Sequence, residues 1–390
     1  MSERNIYLDH GATTPVDPRV LEAMLPYWTD AYGNPASGHH FGRQAERGLD
    51  EARRVIAGLI RAQPGEIVFT GCGSESDNLA LRGAMWAARA AGRGNHLITS
   101  AVEHKAVLET ARQLQRQSGF EVTVVAVDKY GQVDPQQVAA AVRSDTVLIS
   151  IMAANNEVGT LQPVQSIGEM ARERGVLFHT DAIQAVAVTP WDMQEMPFDM
   201  VSFAPHKFYG PKGIGFLYVR RGTHLVPTLT GGSQEEGLRA GTVNVPYAVG
   251  ASEAFRLAML EREANIVHYR RLRDRLVDGI LKIGDDCMLT GHPTERLPHN
   301  ASFAFRDLSG NDLLIHLDAA GIAASSGSAC STGNPRPSSV LKAMGLDDSW
   351  ARGGLRLTVG RQNTDADVDA LLEILPRIVS TLRKFQLQYV

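Results

Sequence analysis

At 390 residues the chain is long enough for one large α/β domain plus a smaller one, and 39 basic against 43 acidic residues leave a net charge of −4. It carries no long basic run and no basic–aromatic alternation, which argues against direct nucleic-acid binding, and no apolar run approaches the ~20 residues that span a bilayer. Three cysteines, Cys72, Cys287 and Cys330, are few and odd in number. With no apolar stretch of signal-peptide length after Met1, they point to individual thiols in the cytoplasm.

From about residue 65 onward, β-rich runs alternate with helical patterns. Strands are predicted at Ile67–Thr70, His96–Thr99, Glu121–Val127, Thr146–Ile151, Val176–Thr180, Met200–Ala204 and Gly215–Val219. Helices over Leu79–Ala90, Ala106–Gln117, Pro135–Val142 and Ile167–Glu173 fall between them. This alternation predicts a mostly parallel sheet covered on both faces, with ligands beyond the carboxyl ends of its strands. After Pro246 the pattern changes to one long, charged helix from Ala248 to about Ile283. A strand at Ser302–Phe305, a helix at Asp312–Ala319 and strands at Ile322–Ser325 and Gly354–Val359 follow. The capping pattern Thr364-Asp-Ala-Asp367 opens a closing helix whose apolar positions Val368, Leu371, Leu372, Leu375, Ile378 and Leu382 belong to a core.

The stretch Ser202-Phe-Ala-Pro-His-Lys-Phe-Tyr-Gly-Pro-Lys-Gly-Ile-Gly215 organises the chemistry. A strand delivers Lys207 into a glycine-lined turn, where a crowded amine loses solvation and becomes a nucleophile or Schiff-base former. Three other strand ends carry signals that are each weak alone. Thr70-Gly-Cys-Gly-Ser-Glu-Ser76 is a glycine-rich βα turn whose helix N-terminus offers N–H groups to an anion, with Cys72 read as a small packed residue. His104 either stacks on a planar ring or caps a helix. Asp181 either holds a pyridine nitrogen protonated or caps the next turn, and Gln184 lies three residues on. Asp181 precedes Lys207 by 26 residues with a strand between them, the order in which neighbouring strands present an acid and an amine to one ring.

Taken together, Tyr7-Leu-Asp-His-Gly-Ala-Thr-Thr-Pro15, Gly33-Asn-Pro-Ala-Ser37, Glu103-His-Lys-Ala106, Asn155-Asn-Glu-Val-Gly159, Gly237-Leu-Arg-Ala-Gly-Thr242, Ser325-Ser-Gly-Ser-Ala-Cys330 and Arg356 resemble the cysteine desulfurases of the NifS/IscS type almost end to end. The cysteine motif separates desulfurases from aminotransferases of the same fold. The resemblance implies a fold-type I, pyridoxal-phosphate-dependent transferase. Its large domain, 15–260, would hold a mostly parallel seven-stranded sheet, and a smaller α+β domain, 1–14 with 261–390, would carry the cysteine loop. Lys207, Cys330 and His104 would be catalytic. Gly73, Ser74, His104, Asn156, Asp181, Gln184, His206, Lys207 and, from a partner subunit, Thr242 would hold the cofactor. Asn34, Asn156 and Arg356 would bind the substrate, Arg356 through a planar fork suited to a carboxylate. No resident metal is implied, Cys330 being a transient iron–sulfur ligand at most.

L-cysteine would become L-alanine, with its sulfur left on Cys330 as a persulfide for an acceptor such as an iron–sulfur scaffold or a tRNA-thiolation enzyme, and the protein would be a homodimer. The small-residue loop around Cys330 suits a thiolate that must carry sulfur outward. Cys287, in the charged turn Gly284-Asp-Asp-Cys, is incidental. Two departures stand out. The family usually has a serine where this chain has Ala204, a missing hydroxyl that costs about 1.5–3 kcal/mol of phosphate binding if nothing replaces it. The chain also closes at Val390, where some relatives continue into a tail that docks a scaffold protein. Selenocysteine lyase, a small-substrate aminotransferase and a non-catalytic relic are the rival readings.

Overall fold

A computed structural model describes residues 5–326 and 337–387, so Cys330 lies outside the described residues. Its strands are β1 (Ile6–Tyr7), β2 (Ile67–Thr70), β3 (His96–Ser100), β4 (Glu121–Val125), β5 (Thr146–Ser150), β6 (Leu177–Asp181), β7 (Met200–Phe203), β8 (Gly215–Val219), β9 (Cys287–Leu289), β10 (Asn300–Phe305), β11 (Ile322–Ala323) and β12 (Gly354–Thr358). Seven form one sheet in the order β2-β8-β7-β6-β5-β3-β4, parallel except for β8, which runs antiparallel to both neighbours. Residues of β2, β3, β5, β7 and β8 are buried throughout, as expected of strands covered on both faces, while the edge strand β4 is exposed or half-buried except at Val125. The mostly parallel seven-stranded sheet is therefore present as expected.

Two helical boundaries differ most from the sequence reading. The helix after β2 begins at Gly73, six residues (79 − 73) ahead of the predicted Leu79. Its polar first turns carry no apolar period to read, although Glu75 near the N-terminus suits the helix dipole. The single helix expected after Pro246 is two, Val245–Leu260 and Arg262–Ile280, which meet at Glu261. There the backbone leaves helical geometry (φ −95°, ψ 2°), and the carboxylate binds Arg19 at 2.7 Å and Arg361 at 2.8 Å. Charge pairing across the chain, which periodicity cannot register, sets that break.

Four apolar clusters result, and the two largest define the two halves of the chain. One lies on a single face of the large sheet, where Phe203 stacks on Phe216 with ring centres 4.7 Å apart and Phe255 packs beside both, and a smaller cluster with Leu97, Leu148 and Leu217 covers the other face. The second large one joins Ile6 and Leu8 to Leu272, Leu276, Phe303, Phe305, Leu355, Leu357, Leu371 and Leu375. Strands β12, β10 and β9 form its antiparallel sheet, and β1 pairs with β11 beside it. Cys287 opens β9 and is buried in this core, which pushes its thiol up to about 12. At the closing helix Asp365–Leu387, the Thr364 N–H donates to Asp367 at 2.8 Å, as the capping pattern predicts.

Candidate functional site

The site forms where β6 and β7 end side by side, with Asp181 opposite Ser202 in the parallel register. Beyond β7, Ala204 leads into a tight turn, Pro205–Lys207, which swings Lys207 back over the strand ends. The Lys207 ammonium donates to the carbonyls of Gly11, 2.8 Å, and Ala12, 2.7 Å. Burial and the nearby Arg356 guanidinium hold the amine down at about 8, against the pull of Asp181 and Asp9. An amine so depressed is a far better nucleophile near neutral pH than an exposed lysine.

The turn is clamped from the N-terminal segment. Tyr209 takes up φ +66°, a costly conformation for a non-glycine residue. Its N–H donates to Thr14 Oγ1 at 2.7 Å, and its hydroxyl accepts the Arg361 N–H at 2.7 Å. His206 meets Thr13 Oγ1 at 3.1 Å, and burial with Lys207 and Lys212 nearby holds its ring down at about 4.

Asp181 closes β6 almost fully buried and accepts the Ile183 N–H at 2.9 Å. Burial pushes its carboxyl up, while His104, the Ile183 N–H and Lys207 pull it back toward the ionised form. His104 caps the helix Lys105–Ser118, its Nδ1 accepting the Ala106 N–H at 3.1 Å, so the capping role and a place beside Asp181 are held together. Gln184 donates to the Gly11 carbonyl at 2.9 Å, the same oxygen that Lys207 uses.

The glycine turn lies next to these groups. A methyl added at Gly73 would come within 2.3 Å of Ile183 Cδ1 and 3.2 Å of Ala204 Cβ, so only glycine lets the helix start approach this closely. Ser74 is exposed at that N-terminus, and Ala204 is buried beneath it. Cys72 is exposed, not packed as expected, because the extended backbone at the N-cap turns it outward. Glu75 accepts the Gly71 N–H at 2.7 Å and pairs with Arg239 at 2.8 Å, joining this turn to the segment that bears Thr242. Thr242 is exposed, and no hydrogen bond to the cluster is found among the described residues. Asn34 is likewise exposed and is occupied locally, accepting the Ala36 N–H at 2.9 Å.

Arg356 reaches the site from β12, whose alternation sends Leu355 and Leu357 into the second core. It is 4% exposed, pairs with Asp9 at 2.8 Å and donates to the Asn156 carbonyl at 2.8 Å. The backbone of Arg356 also bridges Ser325, the last stretch described before the segment that holds Cys330. Asp9, the Gly11 and Ala12 carbonyls and Glu103 do not stand out by residue chemistry. Glu103 ties β3 to β5, accepting from Ser100 at 2.7 Å and from the Met152 N–H at 2.9 Å. Their only sequence signal is a place inside the family motifs.

The class-V aminotransferase family model matches residues 6–371. The chain belongs to the class-V aminotransferase family. Among its relatives, the cysteine desulfurase IscS of Methanosarcina thermophila is 48% identical over 378 residues, covering 97% of this chain and 93% of that one. A solved structure titled NifS-like protein superposes with a TM-score of 0.91 at 38% identity, covering 97% of this chain and all of its own. Another, titled SspA in complex with cysteine, gives 0.76 at 36% identity over 91% of this chain and 98% of its own. Members of this class-V family with the fold-type I architecture are pyridoxal-phosphate enzymes. The residues present fit that cofactor: a buried carboxylate for a pyridinium, a desolvated amine for an aldehyde, and a glycine-opened helix N-terminus for a phosphate.

Proposed function

We propose that the protein is a pyridoxal-phosphate-dependent cysteine desulfurase that converts L-cysteine to L-alanine and leaves the sulfur on Cys330. The observation that carries this reading is Asp181 and Lys207 at the ends of adjacent strands, in a chain 48% identical to a cysteine desulfurase over nearly its whole length. Bound pyridoxal phosphate supplies an electron sink for the charge that develops at the substrate α-carbon.

The chain's own residues do the rest. Gly73, Ser74 and His206 would hold the cofactor's phosphate, Asp181 would pair with its ring nitrogen, His104 would cover the ring, and Gln184 and Asn156 would hold its oxygen side. Lys207 anchors the cofactor and moves the α-proton. Arg356 takes the substrate carboxylate, with Asn156 and Asn34 beside it. The Cys330 thiolate attacks the substrate sulfur, so that a sulfur–sulfur bond forms as the carbon–sulfur bond breaks. A proton returned to carbon then completes alanine.

The boundaries 15–260 and 1–14 with 261–390 follow the two largest apolar clusters and the helix break at Glu261. A homodimer, with Thr242 serving the partner subunit's site, is supported by exposed Leu21, Leu25, Trp28, Tyr32 and Phe41 on the N-terminal helices and turn. Sulfur acceptors are of the iron–sulfur scaffold or tRNA-thiolation class. No described helix is long and apolar enough to cross a membrane, and three cysteines suit a cytoplasmic place. The test is Cys330→Ala, which abolishes alanine formation from cysteine and leaves the cofactor's absorbance; turnover equal to wild type refutes the role.

A further inference from the structure

Beneath the pyridine-facing acid lies a second one that the reaction above does not use. Asp77 is on the inner face of the helix Gly73–Ala90 and is fully buried. Asp77, His104 and Asp181 each bring one side-chain polar atom to within 4.8 Å of the other two. Neither Asp77 oxygen makes a hydrogen bond of normal length among the described residues. Its surroundings come from three stretches of chain. Asp181 and His179 face it from β6, Ser202 from β7 and Glu103 from beyond β3.

His179 does not supply a counter-charge. It is fully buried, its Nδ1 meets Ser150 Oγ at 2.9 Å and its Nε2 meets Ser202 Oγ at 3.0 Å, while Asp77 is farther, at 3.7 Å. Burial holds its ring down at about 3, so it is neutral. The two carboxyls are thus unequally placed. Asp181 has the Ile183 N–H, His104 and Lys207 to stabilise its charge, whereas Asp77 has Ser202 alone and two acids against it. The N-terminal end of its own helix favours an ionised Asp77 only weakly, because Asp77 lies beyond the first turn. A second unpaired charge in a dry pocket costs far more. Like charges this close do not both ionise.

We propose that Asp77 is a positioning residue for Asp181: the pair carries a single negative charge, with the proton held on Asp77 and the charge on Asp181, where the ring nitrogen needs it. This rests on the assignment of Asp181 to the ring nitrogen, but the pairing itself is a property of the chain. Its consequence is a stability cost. The folded chain binds a proton that the unfolded chain releases above about pH 4, so the contribution of Asp77 is intact below that range and is lost as pH rises. A neutral isostere escapes the loss.

The experiment compares the full chain with its D77N variant by thermal unfolding across pH, with and without pyridoxal phosphate. D77N gains on wild type progressively as pH rises above about 4, and the gain shrinks in a D181N background because the neighbouring charge is gone. A difference that does not change with pH, one that moves in wild type's favour as pH rises, or one untouched by D181N overturns the proposal. If D77N does not fold, infrared spectra of wild-type protein with 13C-labelled aspartate decide the matter. A protonated-carboxyl band at neutral pH supports the pairing, and its absence sinks it. Failure of the wild-type chain to take up pyridoxal phosphate would defeat the functional reading, while the pH dependence of unfolding would still judge this one.

Discussion

The ends of β6 and β7 and the sheet β12-β10-β9 are both buried, yet they are built for opposite ends. In the first, Asp77, Glu103, Asp181 and Lys207 are packed where water would serve them better, and burial drives each toward its neutral form. In the second, Ala301, Phe303, Phe305, Leu355 and Leu357 are fully buried and apolar, and the charges sit outside in pairs such as Arg275 with Asp365 and Asp369. Stability comes from the apolar region and is given up at the polar one, where desolvation tunes reactivity. Arg356 belongs to both, since its neighbours on β12 fill the core while its own guanidinium enters the site.

Substitutions in the two regions should therefore fail in different ways. Lys207→Ala lowers alanine formation by on the order of 10⁴-fold or more and removes the covalently held cofactor's absorbance, with the fold intact. Retained turnover in a steady-state assay contradicts its role. Phe303→Ala, in the apolar region, costs about 3–5 kcal/mol in denaturant unfolding and leaves the properties of the site in the folded fraction unchanged. A loss under about 1 kcal/mol would mean that β10 does not carry that core. The pH dependence separates the regions next. With the Lys207 amine held at about 8, the rate of cofactor uptake by cofactor-free protein rises with pH and levels off above about 8. A rise continuing toward the exposed-lysine range near about 10.4 would show a solvated amine. The smallest effect is expected of Arg275→Ala, which leaves the melting temperature within about 2 °C, because exposed ion pairs are screened by water and salt.

Much of this is legible in the amino-acid sequence. The predicted strands of the large sheet match the observed ones within a residue or two, because most of them are buried on both faces and read as short apolar blocks. Lys207 and Asp181 stand out by residue type and order, and Arg356 by its place among the family motifs. The misplaced features depend on long-range contacts or local geometry. Cys72 is small and apolar enough to be read as packed, and only the extended N-cap geometry turns it outward. The helix break at Glu261 follows from Arg19 and Arg361, distant in sequence and adjacent in space.

Local patterns and strings of residues are enough for the alternation of elements, for the order of the acid and the amine, and for the resemblance that names the chemistry. Folding alone makes residues 9 to 14 one wall of the site, brings the Gly11 and Ala12 carbonyls to Lys207, and sets Asp77 beneath Asp181. The reason is physical: a carboxyl's or an amine's behaviour is set by desolvation and by charges brought near through folding, and no linear spacing encodes how much water remains around it.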